Sequence, residues 1–286
     1  MMRELATVGT EQFILFAVGL AIWVVAPVML TILWVVKKKE PVTTVLIGAA
    51  AFFVFVMVLE KPIQNVLVFP TQMRLPDHAI SSFINDRPLL WVLVVSLFPG
   101  AFEETGRFIV FKTLLKKNKN RETSISYGIG HGGFEVMYLM GLTYIGNIVT
   151  AVMINSGAFG AVIEQVAEQA PEQLDTLYLQ TDLIAAFSAG DLAVGIVERI
   201  FAVLLHIGLS ILVFYAAREK GRFVLYPLAV LLHTAMDGVA ALVMKGFLTL
   251  STWEIEGIIG LIACLTFFGA YFLLYRKERP AEGIGR

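Results

Sequence analysis

The sequence predicts an all-α integral membrane protein, a bundle of about seven transmembrane helices with the N-terminus outside and the C-terminus in the cytoplasm. Three observations carry this. Apolar residues make up 57% of the 286-residue chain and the mean hydropathy is +0.77, whereas soluble domains reach roughly half apolar even when glycine is counted. Seven apolar runs each meet the length of about 20 residues that a bilayer span needs. The lysines and arginines between these runs concentrate on alternate connections.

The first run, about 11–36, is too long for a signal-peptide core and is followed by Lys37, Lys38 and Lys39, so it reads as a retained span. The second is expected over about 41–60, the third over 89–115, and the fourth over 124–154 with a bend near Gly141. The fifth, sixth and seventh cover about 191–217, 223–244 and 253–275. Together they make a single polytopic domain over 1–286, with its polar core in about 89–244. Two connections are long. Residues 61–88 contain prolines and mixed polar and apolar positions, and 155–190 carry acids but no Lys or Arg. The second reads as a solvated connector, the alternative being a cap over the bundle; part of it, Val162–Ala167, has the pattern of an amphipathic surface helix.

Fifteen basic residues fall on one set of ends and connections: Lys37 to Lys39, the stretch from Lys112 to Arg121, Arg218 to Arg222, and the positions after the last span. Five fall on the other: Arg3, Lys61, Arg74, Arg87 and Lys245. The positive-inside rule then sets the orientation and places the chain in a cell membrane, a bacterial plasma membrane being the expected one. The formal net charge of −1 points to no charged partner, and nucleic acid is not expected. Cys264 is the only cysteine and lies mid-span, which excludes a disulfide framework and a cysteine-based zinc site.

Ten ionisable side chains interrupt the third to sixth runs: Glu103, Glu104, Arg107, His131, Glu135, Glu198, Arg199, His206, His233 and Asp237. A charge at the bilayer centre costs on the order of 3 kcal/mol on insertion scales. Such groups persist where they face one another, water or an ion. The first, second and seventh runs read as free of interior charge, and therefore as scaffold facing lipid. At 1.5 Å rise per residue, Glu103, Glu104, His131, Glu135, His206, His233 and Asp237 all lie roughly 12 to 21 Å from the cytoplasmic end of their spans. Glu198 and Arg199 sit nearer the outer surface and read as a structural ion pair. Four-residue spacing puts His131 with Glu135, His233 with Asp237, and Glu103 with Arg107 on single helix faces.

Adjacent Glu103 and Glu104 point about 100° apart, so they serve different neighbours. A carboxylate beside a metal or imidazole suits activation of water, and Arg107 reads as the structural partner of the pair. His131 lies in Gly128-Ile129-Gly130-His131-Gly132-Gly133. These glycines cost helix stability, roughly 1 kcal/mol each against alanine. Either close backbone packing or room for a substrate explains them. Glu135 is read as a metal ligand or as the group that orients His131. His233 and Asp237 have the spacing of a zincin ligand pair with a carboxylate replacing one histidine. His206 reads either as a satisfied interhelical hydrogen bond or as a ligand, since three histidines on three helices make a first shell for Zn²⁺. The expected metal set is His131, Glu135, His206 and His233, with Glu103, Glu104, His131 and Asp237 as catalytic groups.

These motifs resemble an intramembrane protease superfamily that includes the CAAX-prenyl-protease and bacteriocin-processing (CPBP) family and the PrsW family. The residues concerned are Glu103-Glu104-Thr105-Gly106-Arg107, Gly130-His131 with Glu135, Glu198-Arg199 with His206, and His233-Thr-Ala-Met-Asp237. Within that group the chain looks most like the YhfC-type intramembrane metalloproteases. The resemblance covers about residues 98–240. It departs from the CPBP pattern in having two residues between Glu104 and Arg107, and in carrying Asp237 where that family often has asparagine. It implies that Glu103 and His131 activate water and that His233 and Asp237 are electrostatic or metal partners. It also implies a membrane-embedded or lipidated peptide as substrate. Two rival readings remain at this point: a proton or divalent-cation transporter, which a ladder of polar residues across the membrane or duplicated halves would favour, and a non-catalytic scaffold of the same ancestry.

Overall fold

The structure, a computed structural model, describes residues 3–278 and contains no strand among them. Seven of its helices are long and apolar enough to cross a membrane. In chain order the helices are α1 Thr10–Lys38, α2 Val42–Val68, α3 Ala79–Asn85, α4 Pro88–Lys112, α5 Glu122–Asn155, α6 Phe159–Gln169, α7 Leu174–Ala185, α8 Ala189–Arg218, α9 Leu225–Met244 and α10 Thr252–Tyr275. The short α3, α6 and α7 do not span.

The chain divides into two compact units. One comprises Met1–Val28 with Val136–Ile196. Its core is Val8, Ala151, Ile154, Phe159 and Ile163, and Phe16 stacks at 4.8 Å on Phe187 and at 5.9 Å, edge-on, on Tyr144. The Asn155 amide exchanges hydrogen bonds with the backbone of Val8, both at 2.8 Å. The connector over 155–190 is largely helical: the amphipathic helix expected around Val162–Ala167 is present as α6, and it is part of the packing rather than solvated chain. Phe159, Val162, Ile163 and Val166 recur at i, i+3, i+4 and i+7, which gives α6 one apolar face, and Phe159 and Ile163 bury it.

The other unit, Met29–Glu135 with Val197–Arg286, is built around the C-terminal two-thirds of α8. Leu205, Leu209, Ile211, Val213 and Phe214 point to different sides of that helix and are all buried, so it is wrapped on every side. Its outer helices expose Leu33, Val36, Leu46, Leu261 and Leu265. Rows of bare aliphatics on several helices suit a lipid-facing surface.

Glycines set the closest helix contacts. A Cβ on Gly130 would lie 1.9 Å from the carbonyl oxygen of Val45, and one on Gly48 would lie 2.3 Å from that of Tyr127. The α2 and α5 backbones thus touch, as small residues permit in membrane bundles. On the other side of α5, a Cβ on Gly128 would lie 2.7 Å from the Cα of Ile207. Close backbone approach therefore accounts for Gly128 and Gly130 beside His131. Gly130→Ala forces backbone, rather than a flexible side chain, to move. It is expected to lower stability by about 1–3 kcal/mol, read as a lower unfolding midpoint in detergent; an unchanged midpoint would contradict the contact.

Two prolines shape α2 and α4. Pro99 has no N–H, so the carbonyl of Val95 loses its helical donor, and Gln64 Nε2 of α2 donates to it at 3.2 Å. Pro62 sits just after a π-helical stretch, Phe53–Glu60, within α2. Its ring crowds the carbonyl four residues earlier, and a widened turn relieves that crowding. The expectation that the second span ends near residue 60 fails because Ile63, Val66, Leu67 and Val68 prolong the apolar helix beyond Lys61-Pro62. The expectation that the second and seventh spans lack interior charge fails with it. Glu60 in α2 is fully buried, and Glu256 in α10 is 5% exposed.

Candidate metal centre

Four helices of the second unit, α4, α5, α8 and α9, bring the polar residues together. Glu103 and Glu104 lie on α4, His131 and Glu135 on α5, His206 on α8, and His233 and Asp237 on α9. Glu103, Glu104, His131, His206 and His233 are all buried. The imidazoles form a row, with ring centres 4.9 Å apart from His131 to His206 and 5.3 Å apart from His206 to His233. Phe52 meets His131 edge-on at 5.3 Å, and Tyr127 stacks against it at 5.9 Å.

The tandem acids do take different partners. Glu103 Oε2 lies 2.8 Å from His131 Nε2 and 3.9 Å from His206 Nδ1. Glu104 is gripped by Arg107, whose Nη1 reaches both carboxylate oxygens at 2.5 Å, and by His233 Nδ1 at 3.0 Å. Arg107 pairs with Glu104 three residues back rather than with Glu103 four back, and its Nη2 also donates to His206 Nδ1 at 3.2 Å. A guanidinium has no acceptor, so Nδ1 is the unprotonated nitrogen of His206 in this contact. Its Nε2, the protonated nitrogen of that neutral ring, then faces Glu135 Oε2 at 2.6 Å, though outside hydrogen-bond alignment.

Glu135 extends the network outward. Arg199 Nη1 lies 3.4 Å from Glu135 Oε1, and Arg199 Nη2 bonds Glu198. The Glu198–Arg199 pair, expected to be separate, is thus joined to the site through Glu135. At the other end His233 Nε2 lies 3.6 Å from Asp237 Oδ2.

Among the described residues, the group able to hold a metal ion is Glu103, His131 and His206, with one donor atom of each within 4.8 Å of the others. The metal set expected from the sequence includes Glu135 and His233 and leaves Glu103 out. In the structure Glu135 lies against the far nitrogen of His206, and His233 is engaged by Glu104. The donor chemistry suits a divalent ion, since two imidazoles and a carboxylate are a protein ligand set of catalytic zinc. The buried Nδ1 of His131 also has no protein partner. Sequence reasoning missed Glu60. The continuing apolar periodicity after Pro62 was the available signal.

A buried carboxylate–imidazole cluster inside spanning helices defines a multi-pass membrane protein with a candidate metal centre. The chain belongs to the YhfC intramembrane metalloprotease family, whose description matches residues 22–259. It is 31% identical over 262 residues to a Bacillus subtilis (strain 168) protein described as "Uncharacterized membrane protein YhfC", covering 91% of this chain and 96% of that one. No solved structure matches the chain.

Proposed function

We propose that this chain is an intramembrane metallo-endopeptidase that hydrolyses a peptide bond of a membrane-embedded or lipidated substrate. The observation that carries the reading is the buried Glu103, His131 and His206 cluster on three spanning helices, which fits the intramembrane metalloprotease family to which the chain belongs. The three side chains would hold a divalent ion of the zinc class. Such an ion supplies Lewis-acid polarisation and lowers the pKa of a water bound to it.

The chain's own residues handle the proton and the charge. Glu103 uses Oε2 for His131, and its other oxygen has no protein partner among the described residues. That oxygen takes a proton from the water that attacks the substrate carbonyl carbon. The same proton passes to the amide nitrogen as the C–N bond breaks. His233 is fixed at Nδ1 by Glu104 and turns Nε2 toward Asp237; its role in this mechanism is to stabilise the developing oxyanion. Arg107 holds Glu104, and so His233, in place. On this reading the layer lies in the cytoplasmic half of a bacterial plasma membrane, an orientation that the loop charge supports.

The test is cleavage of a panel of quenched-fluorescent single-span peptides by purified protein in proteoliposomes. Cleavage should stop with 1,10-phenanthroline and return with zinc. The reading fails if turnover survives the chelator and is unchanged in Glu103→Ala, Glu104→Ala and His131→Ala.

A further inference from the structure

Of the buried carboxylates the mechanism leaves unused, Glu40, Glu60 and Glu256, Glu60 is the most deeply buried. Glu60 lies inside α2 with none of its surface exposed. Lys61 Nζ stands 3.4 Å from Oε1, while Oε2 has no hydrogen-bond partner. An isolated charge in that position is costly, so an unpartnered oxygen there asks for a ligand.

Register shows what Glu60 faces. On α2, Phe55 packs where a Cβ of Gly106 would be, 2.4 Å from the ring, and Gln64 bonds the carbonyl of Val95. The two helices run antiparallel, so Glu60, between Phe55 and Gln64, is level with the α4 segment between Val95 and Gly106. Glu103 is in that segment. The α9 helix closes the third side, because a Cβ on Gly100 would lie 2.7 Å from Thr234 Oγ1, one turn before Gly238 and adjacent in sequence to His233. Beyond Lys61, the charged groups acting on Glu60 are Glu103 and Asp237. Thr234 Oγ1 and Asp237 Oδ2 are further buried oxygens without a hydrogen-bond partner on this side of the site. The π-helical stretch Phe53–Glu60 ends on Glu60 itself, and π-helical turns frequently occur at functional sites.

We propose that Glu60 is a further catalytic residue: its Oε2 accepts the second O–H of the attacking water, opposite Glu103. An attacking water has two O–H bonds. Glu103 takes the proton of one. An acceptor on the other bond turns the oxygen lone pair toward the carbonyl carbon, which is the orientation a near-attack geometry requires. Glu104 and Glu135 are unsuited, because Arg107 and His233 engage the first, and His206 and Arg199 the second. Asp237 stands against His233. Glu60 is the fully buried acid with an oxygen to spare.

This inference rests on the proposed hydrolysis but is tested separately from it. The first readout is an experimental structure at about 2 Å resolution, which should show an ordered water within about 3.2 Å of both Glu60 and Glu103. A dry gap between the two overturns the proposal whatever the activity. The second readout is kinetic, with the quenched peptides. Glu60→Gln should lower kcat 10- to 100-fold, and Glu60→Leu at least as far, with KM and bound zinc within twofold of wild type. Glu60→Leu should keep or raise the unfolding midpoint, since it removes a buried acid. A kcat within twofold of wild type in Glu60→Leu overturns the proposal, as does a loss that only follows the fraction of folded protein. If Glu103→Gln is also fully active, the proposed function falls; if Glu103→Gln is dead and Glu60→Leu is not, only the role of Glu60 falls.

Discussion

Glu103→Gln is expected to lower kcat/KM for peptide cleavage by about 10²- to 10⁴-fold, the range that a positioned general base supplies. The amide keeps the shape of the side chain and can still meet His131, so the fold should survive. What it loses is the ability to take a proton from water. It also replaces a carboxylate of the Glu103, His131 and His206 cluster by a weaker donor, so zinc retention should fall with activity. Glu104→Gln is expected to behave differently, because both oxygens of Glu104 are occupied by Arg107 and one also by His233. Its loss should show mainly in stability and in the placement of His233. Equal kinetic profiles for the two variants would contradict the division of labour between the tandem acids.

Arg107→Met is expected to destabilise the protein by about 3–5 kcal/mol, the usual result of removing one partner of a buried ion pair. Both Arg107 and Glu104 have no exposed surface, so neither charge can turn to water. The variant strands the Glu104 carboxylate in the bundle and removes a donor from His206. Arg107→Met combined with Glu104→Gln should recover much of the loss, because the uncompensated charge is then gone. The check is the unfolding midpoint of each protein in the same detergent. A single variant as stable as wild type would mean that the pair is not buried as described.

Most of the architecture is legible in the sequence because apolar run length is a direct consequence of bilayer thickness. The seven runs and the helices into which they fold are a local property of the chain. The shared layer of acids and histidines is legible for the same reason, since depth follows from rise per residue. Which partner each group takes is not. Glu103 and Arg107 share a helix face by spacing, yet Arg107 turns to Glu104, because His233 and His206 arrive from α9 and α8 to complete that side. Glu135 appears as a ligand beside His131 in sequence, but the close approach of α8 at Gly128 and Gly132 delivers His206 to it first. Glu60 is hidden by Lys61-Pro62, which imitates the end of a span. Only packing against α4, where Gln64 satisfies the carbonyl that Pro99 leaves free, shows that the helix goes on. The amphipathic pattern around Val162–Ala167 makes α6 legible as a helix, but which residues cover its apolar edge of Phe159 and Ile163 is not.

Metal content of the purified protein bears most directly on the central claim. Protein prepared without chelator and reconstituted with zinc should hold about one ion per chain when analysed by plasma mass spectrometry. His131→Ala and His206→Ala should each retain almost none while keeping the unfolding profile of zinc-free wild type, because both histidines belong to the same three-residue cluster. His233→Ala, outside that cluster, should keep most of its zinc. Wild-type protein that binds no divalent ion, or variants of His131 and His206 that bind it as well as wild type, would contradict a metal centre built from Glu103, His131 and His206.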